Sequence, residues 1–161
     1  PVLIMLSLPY TQRTKIAVAA AKDALFDKHP WLSKITTFVI YTFPISRKSE
    51  SNIEEAFSFM GKLLDEGYSI LFFPEGSISK NENHILPLKN GAGLAGVYLN
   101  APIIPVTING AQAIQPYDKI VPVKRGEVLI NVGEPLKFAS TDDVSESTKV
   151  IENSLKELKI N

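Results

Sequence analysis

Ile70-Leu71-Phe72-Phe73 runs directly into Pro74-Glu75-Gly76-Ser77-Ile78-Ser79, and this junction decides the fold. Consecutive apolar residues bounded by turn formers read as a short buried strand. Pro74 lacks a backbone donor and stops the strand, while Gly76 allows a sharp turn that brings amide groups close to a ligand. Ligands of open α/β sheets bind beyond the carboxyl ends of strands, so a carboxylate, a hydroxyl and a glycine there make a polar site. The residue types fit a plain surface turn equally well, because Pro, Glu, Gly and Ser are all common in turns.

Strands and helices alternate on both sides of this junction. Residues 68–73 are the strand that feeds it, and residues 51–66 are the clearest helix. In that helix Ile53, Ala56, Phe57, Met60, Leu63 and Leu64 recur at helical spacing, Glu54 and Glu55 lie near the start, and Gly67 is the stop. Ile16-Ala17-Val18-Ala19-Ala20-Ala21 reads as a buried strand, and residues 31–38 as a helix leading into a strand near 39–43. A helix over 90–99 follows the junction, and its small residues Gly91, Ala92, Gly93, Ala95 and Gly96 predict close packing on the sheet. No Lys-Ser or Lys-Thr pair follows these glycines, so the Walker phosphate-loop pattern is not met. Residues 102–108 read as a buried strand whose ladder Pro105 interrupts, as happens at an edge, a bulge or a functional site. Residues 120–123 and 127–132 suggest two strands joined at Lys124-Arg125-Gly126. The last helix spans 142–158, initiated by Ser140 or Thr141, with Val144, Ile151, Leu155 and Leu158 on one face. The alternation predicts an α/β fold, a mostly parallel central sheet flanked by helices, in one domain over residues 1–161 with no dividing linker.

Composition narrows the function classes. A chain of 161 residues suits one domain with a sizeable core, and its 45% hydrophobic content excludes a disordered segment. Lys plus Arg and Asp plus Glu both number 17, so no global field draws the chain to nucleic acid or anionic lipid. The absence of cysteine excludes disulfides, thiolate metal sites and a cysteine nucleophile, and fits a reducing cytoplasmic setting. Only two scattered histidines speak against zinc. No run reaches the roughly 18 apolar residues of a membrane span.

Phe73-Pro74-Glu75-Gly76-Ser77-Ile78-Ser79 resembles F-P-E-G-T-R-S, the third signature block of the PlsC-like glycerolipid acyltransferases, which acylate lysophosphatidic acid and related acceptors. Phe43-Pro44-Ile45-Ser46-Arg47 resembles the second block, and Ala101-Pro102-Ile103-Ile104-Pro105-Val106 the Pro-rich fourth. Leu88-Lys89-Asn90-Gly91-Ala92 and Val132-Gly133-Glu134-Pro135-Leu136 match the usual continuation, so the resemblance runs in order from residue 8 to about residue 138. It implies a glycerolipid-acyltransferase-like fold and transfer of a fatty acyl group to lysophosphatidic acid or a related lysophospholipid, with acyl-CoA or acyl carrier protein as co-substrate. It implies no metal or organic cofactor and no nucleic acid. A cytoplasmic location follows, or the cytoplasmic face of a membrane that the parent protein contacts.

The family's first block, N-H-x-x-x-x-D, supplies the catalytic His and the Asp that orients it. By the family's layout that block falls just before Pro1, because the helix after it corresponds to residues 2–9. The chain is therefore expected to be truncated at its N-terminus and inactive as it stands, with no catalytic residue of its own. Asn83-His84-Ile85-Leu86-Pro87-Leu88-Lys89 echoes the block, but Lys89 stands where the Asp belongs, and a cation cannot accept the imidazole N–H. His84, and His29 in Asp27-Lys28-His29-Pro30-Trp31, read as ordinary loop histidines.

Carried over residue by residue, the resemblance makes Arg47 the phosphate ligand, a role its planar and permanently charged fork suits. It makes Glu75, Gly76 and Ser77 the groups that position the glycerol portion, and Lys89 an additional charge. Without the resemblance, Arg47 reads as a surface ion-pair partner of Glu50 or a neighbouring acid. Ile78 stands where the third block often carries Arg, which leaves open whether the acceptor is lysophosphatidic acid or a lysophospholipid with a larger head group. The alternative is a non-catalytic module of the same fold that binds lysolipid or acyl carrier.

Overall fold

The computed structural model describes residues 1–21, 41–45, 50–77, 79, 84–116 and 123–160. The chain forms two compact units, Pro1–Phe73 and Pro74–Asn161.

The first unit is built on a parallel sheet. Its elements are α1 (Val2–Ser7), α2 (Tyr10–Arg13), β1 (Ile16–Ala21), β2 (Thr42–Ile45), α3 (Glu50–Asp65) and β3 (Ser69–Leu71). Strand order is β2-β1-β3, with Val18 paired to Thr42 on one side and Leu71 on the other, both parallel. Ile16, Ala17 and Val18 are buried one after another, as expected of a central parallel strand covered on both faces. Met5 and Leu8 from the N-terminal helix region and Leu71 pack against Ile16 and Val18. Arg13 donates through Nε to the Leu8 carbonyl at 2.6 Å and through Nη2 to the Leu6 carbonyl at 2.8 Å. A cation thus satisfies carbonyls at the C-terminal end of α1.

Helix α3 follows the predicted periodicity. Met60 and Leu63 are buried, Ile53, Ala56, Phe57 and Leu64 are half-buried, and Phe59 sits edge-on to Phe43 with centroids 5.2 Å apart. Gly67 ends the helix at φ +79, with its amide on the Leu64 carbonyl and the Tyr68 amide on the Leu63 carbonyl. That pair of bonds is the Schellman stop, which favours glycine at the left-handed position.

Two expectations about strands need correction here. The strand feeding the junction is shorter than residues 68–73, since its ladder ends at Leu71, and Phe73 is 46% exposed. Among the described residues β3 pairs only with β1, so no second neighbour continues its ladder. The strand expected near 39–43 lies further on, at Thr42–Ile45, and the helix expected over 31–38 falls outside the described residues. Pro44 within β2 is tolerated because β2, too, pairs only with β1 among the described residues.

The second unit contains α4 (Gly91–Tyr98), β4 (Val106–Asn109), α5 (Ala111–Ile114), β5 (Leu129–Val132) and α6 (Val144–Ile160). Strands β4 and β5 form an antiparallel pair, Val106 opposite Val132 and Asn109 opposite Leu129. The pairing resumes at an isolated bridge between Ile103 and Leu136, so two residues, 104 and 105, face the three from 133 to 135. Pro105 therefore lies opposite a bulge whose extra residue is among 133–135. The strand over 102–108 is accordingly divided at Pro105, and of the pair expected at 120–123 and 127–132 only Leu129–Val132 is a strand among the described residues.

Small residues shape helix α4, but they meet a helix instead of the expected sheet. A Cβ at Gly93 would run into the Val144 carbonyl oxygen and Thr148 Oγ1 of α6, and one at Gly96 would lie 2.6 Å from the Phe138 ring. Ala92, Ala95 and Val97 are buried on α4, and Ser147, Thr148, Ile151 and Leu155 are buried on α6. Thr148 is accommodated because its hydroxyl donates back to the Val144 carbonyl at 2.8 Å. The cap of α6 is Asp143, not Ser140 or Thr141: its Oδ1 accepts the Glu146 amide at 2.9 Å. Asp142 instead closes the preceding turn by accepting the Ala139 amide at 2.7 Å.

Candidate functional site

The turn that follows Phe73 and the residues bonded to it lie within the second unit. Pro74 and Glu75 form a turn, and Gly76 takes φ +69, the left-handed conformation that glycine adopts without a Cβ penalty. The turn is tied to the segment ahead of α4 by two hydrogen bonds. The Lys89 amide donates to the Pro74 carbonyl at 2.9 Å, and the Leu86 amide donates to Glu75 Oε2 at 2.7 Å. A charged acceptor strengthens the second bond relative to a neutral one. Glu75 is half-buried, whereas Ser77, Lys89 and His84 are exposed.

Helix α6 adds a third tie to the same segment. The Leu88 amide donates to Glu152 Oε2 at 3.1 Å, while Glu152 Oε1 accepts from Lys156 Nζ at 2.5 Å. The hydrogen bond from Lys156 and then that from the Leu88 amide hold the Glu152 carboxyl below its ordinary range, against the opposing effect of burial. Ser79, two residues on from Ser77, is also held, because Gln112 Nε2 on α5 donates to its carbonyl at 2.7 Å.

Of the residues marked in the sequence, Glu75, Gly76 and Ser77 share one turn, and the Lys89 amide is bonded to the Pro74 carbonyl of that turn. Arg47, Ile78 and His29 lie outside the described residues. Strands β2 and β3 run parallel, so Ile45 and Leu71 end at the same edge of the sheet. Glu152 and Gln112 escape sequence reasoning. The only signal for Glu152 is its i,i+4 spacing from Lys156, which predicts a helix-surface pair and nothing about Leu88. Among the described residues no group of three His, Cys, Asp or Glu could hold a metal ion, and no helix is long and apolar enough to cross a membrane.

The family model described as Acyltransferase matches residues 2–109, and the chain belongs to that family. It is 25% identical over 129 residues to the 1-acyl-sn-glycerol-3-phosphate acyltransferase BAT2, chloroplastic, of Brassica napus, covering 74% of this chain and 37% of that protein. The chain therefore spans little more than a third of the length of this curated relative. Its fold is that of the 1-acyl-sn-glycerophosphate (LPA) acyltransferase PlsC from Thermotoga maritima, with a TM-score of 0.62 and 18% identity over 97% of this chain and 68% of the other.

Proposed function

We propose that the chain is the acceptor-binding part of an O-acyltransferase that moves a fatty acyl group from acyl-CoA or acyl carrier protein to lysophosphatidic acid or a related lysophospholipid. The observation that carries this reading is the turn over residues 74–77, which Pro74 and Glu75 bond to the segment ending at Lys89. The Brassica napus relative, named for acylating 1-acyl-sn-glycerol 3-phosphate, supports the choice of acceptor.

In this reading a base takes the proton of the free glycerol hydroxyl as its oxygen attacks the thioester carbonyl. The new O–acyl bond forms, the C–S bond breaks, and the proton passes through the base to the departing thiol. The 161 residues contain no N-H-x-x-x-x-D, and none of them is assigned as the base. Glu75 and Ser77 orient the glycerol portion, and Arg47 and Lys89 neutralise the phosphate. The chemistry calls for no metal. The reaction belongs at the surface of the membrane that holds the lipid acceptor, on its cytoplasmic face.

The test is transfer of a labelled acyl group by the full-length protein, from acyl-CoA or acyl carrier protein to lysophosphatidic acid. Arg47→Ala should lower kcat/KM for lysophosphatidic acid by roughly ten- to a hundred-fold, the worth of a charge-assisted hydrogen bond. Binding of lysophosphatidic acid without any transfer would instead support a non-catalytic lysolipid-binding module.

A further inference from the structure

We infer that Glu152 of α6 is a positioning residue for the acceptor site, acting on Lys89 through the backbone of Leu88; this rests on the acceptor reading above. Three hydrogen bonds fix the segment that delivers Lys89. The Leu86 amide is held by Glu75, the Lys89 amide by the Pro74 carbonyl, and the Leu88 amide between them by Glu152. The first two bonds join the segment only to the turn it borders. The third joins it to a helix that Asp143 caps and that packs against α4 through Gly93 and Thr148.

Glu152 is suited to this task because each of its two oxygens has its own partner. Oε2 faces Leu88, while Oε1 is held by Lys156 one turn further along α6. Lys156, which is half exposed, occupies only Oε1, and Oε2 by itself holds the backbone amide. The Lys89 side chain is exposed, so the path of its backbone sets where its ammonium can reach. Neither Glu152 nor Lys156 contacts the acceptor in this assignment. Glu152 should therefore influence acceptor binding without altering the acyl-transfer step.

The experiment uses the full-length protein with Glu152→Ala, Glu152→Gln and Lys156→Ala, and has two readouts. In hydrogen exchange the Leu88 amide should exchange about tenfold faster in Glu152→Ala, and stay near wild type in Glu152→Gln, whose amide oxygen still accepts the bond. In kinetics Glu152→Ala should raise KM for lysophosphatidic acid severalfold, leaving kcat and KM for the acyl donor unchanged. Glu152→Gln should restore that KM, and Lys156→Ala should change it by less than about twofold, as for loss of an exposed ion pair. Combining Glu152→Ala with Lys89→Ala should add nothing to Lys89→Ala alone. Unchanged Leu88 exchange in Glu152→Ala overturns the inference and leaves the acceptor reading intact. So does faster exchange with an unchanged acceptor KM, or additivity with Lys89→Ala. Failure of the wild-type full-length protein to acylate either lysophosphatidic acid or a head-group-bearing lysophospholipid overturns the acceptor reading, and this inference with it.

Discussion

Gly76 and Glu75 carry different parts of the same turn. Gly76 supplies a backbone angle, φ +69, that costs an L-residue on the order of 1–2 kcal/mol. Gly76→Ala should lower unfolding stability by about that amount, measured by urea denaturation. Glu75 was marked in the sequence as a ligand for glycerol, yet one of its oxygens holds the Leu86 amide. Its identity as an acid at a strand end was legible, but its partner eleven residues later was not, because side-chain reach across a loop has no sequence period. Ile78 lies outside the described residues and stands where the third block of the resembling family often carries Arg. In the full-length protein, Ile78→Arg should shift the ratio of kcat/KM values towards lysophosphatidic acid over a head-group-bearing lysophospholipid by up to roughly ten- to a hundred-fold. An unchanged ratio in a folded variant would mean that position 78 does not read the head group.

Helices α3 and α4 show that a glycine's worth depends on its neighbours. Gly61 has nothing within 4 Å of where a Cβ would sit, so Gly61→Ala should stabilise α3 by about 0.5–1 kcal/mol through helix propensity. Gly93 faces the backbone of α6, so Gly93→Ala should destabilise by about 1–3 kcal/mol through overpacking. Opposite shifts in thermal midpoint would check both, and equal shifts would sink the packing account. Periodicity identified the buried faces of α3 and α6 correctly, Met60 and Leu63 in one and Ile151 and Leu155 in the other. It could not say that α4 packs on α6, since a small residue fits a close approach to either a strand or a helix. Glu152 links α6 to the loop and gives that link a pH dependence. Its folded pKa is lowered from an ordinary 4.5, so its contribution is present above that value and is lost as pH falls through the lower folded value. Glu152→Gln should therefore flatten the stability–pH curve below that ordinary value and nowhere else, and a curve unchanged there would argue against the tie.

At the scale of the chain, residues 1–161 contain no His–Asp pair of the family's spacing, and on the proposed reading they hold the acceptor-site residues. General-base catalysis is typically worth on the order of a hundred- to ten-thousand-fold. These residues alone should therefore transfer no measurable label from acyl-CoA or acyl carrier protein to lysophosphatidic acid, and ordinary turnover by them would refute the assignment of the base. The α/β class and the family were legible in the sequence because both rest on local order. Ile16–Ala21 is a run apolar enough to be a central parallel strand, Gly67 and Gly76 mark places where the backbone turns left-handed, and the signature blocks follow one another along the chain. Only the tertiary structure decided that Val106–Asn109 leaves the parallel sheet for an antiparallel partner, that Gly93 lies against Thr148, and that Glu152 holds Leu88. The reason is physical: local sequence sets which face of an element is apolar and where it stops. What that face meets is settled by the packing of elements far apart in the chain, where several partners of similar size and polarity satisfy the same pattern.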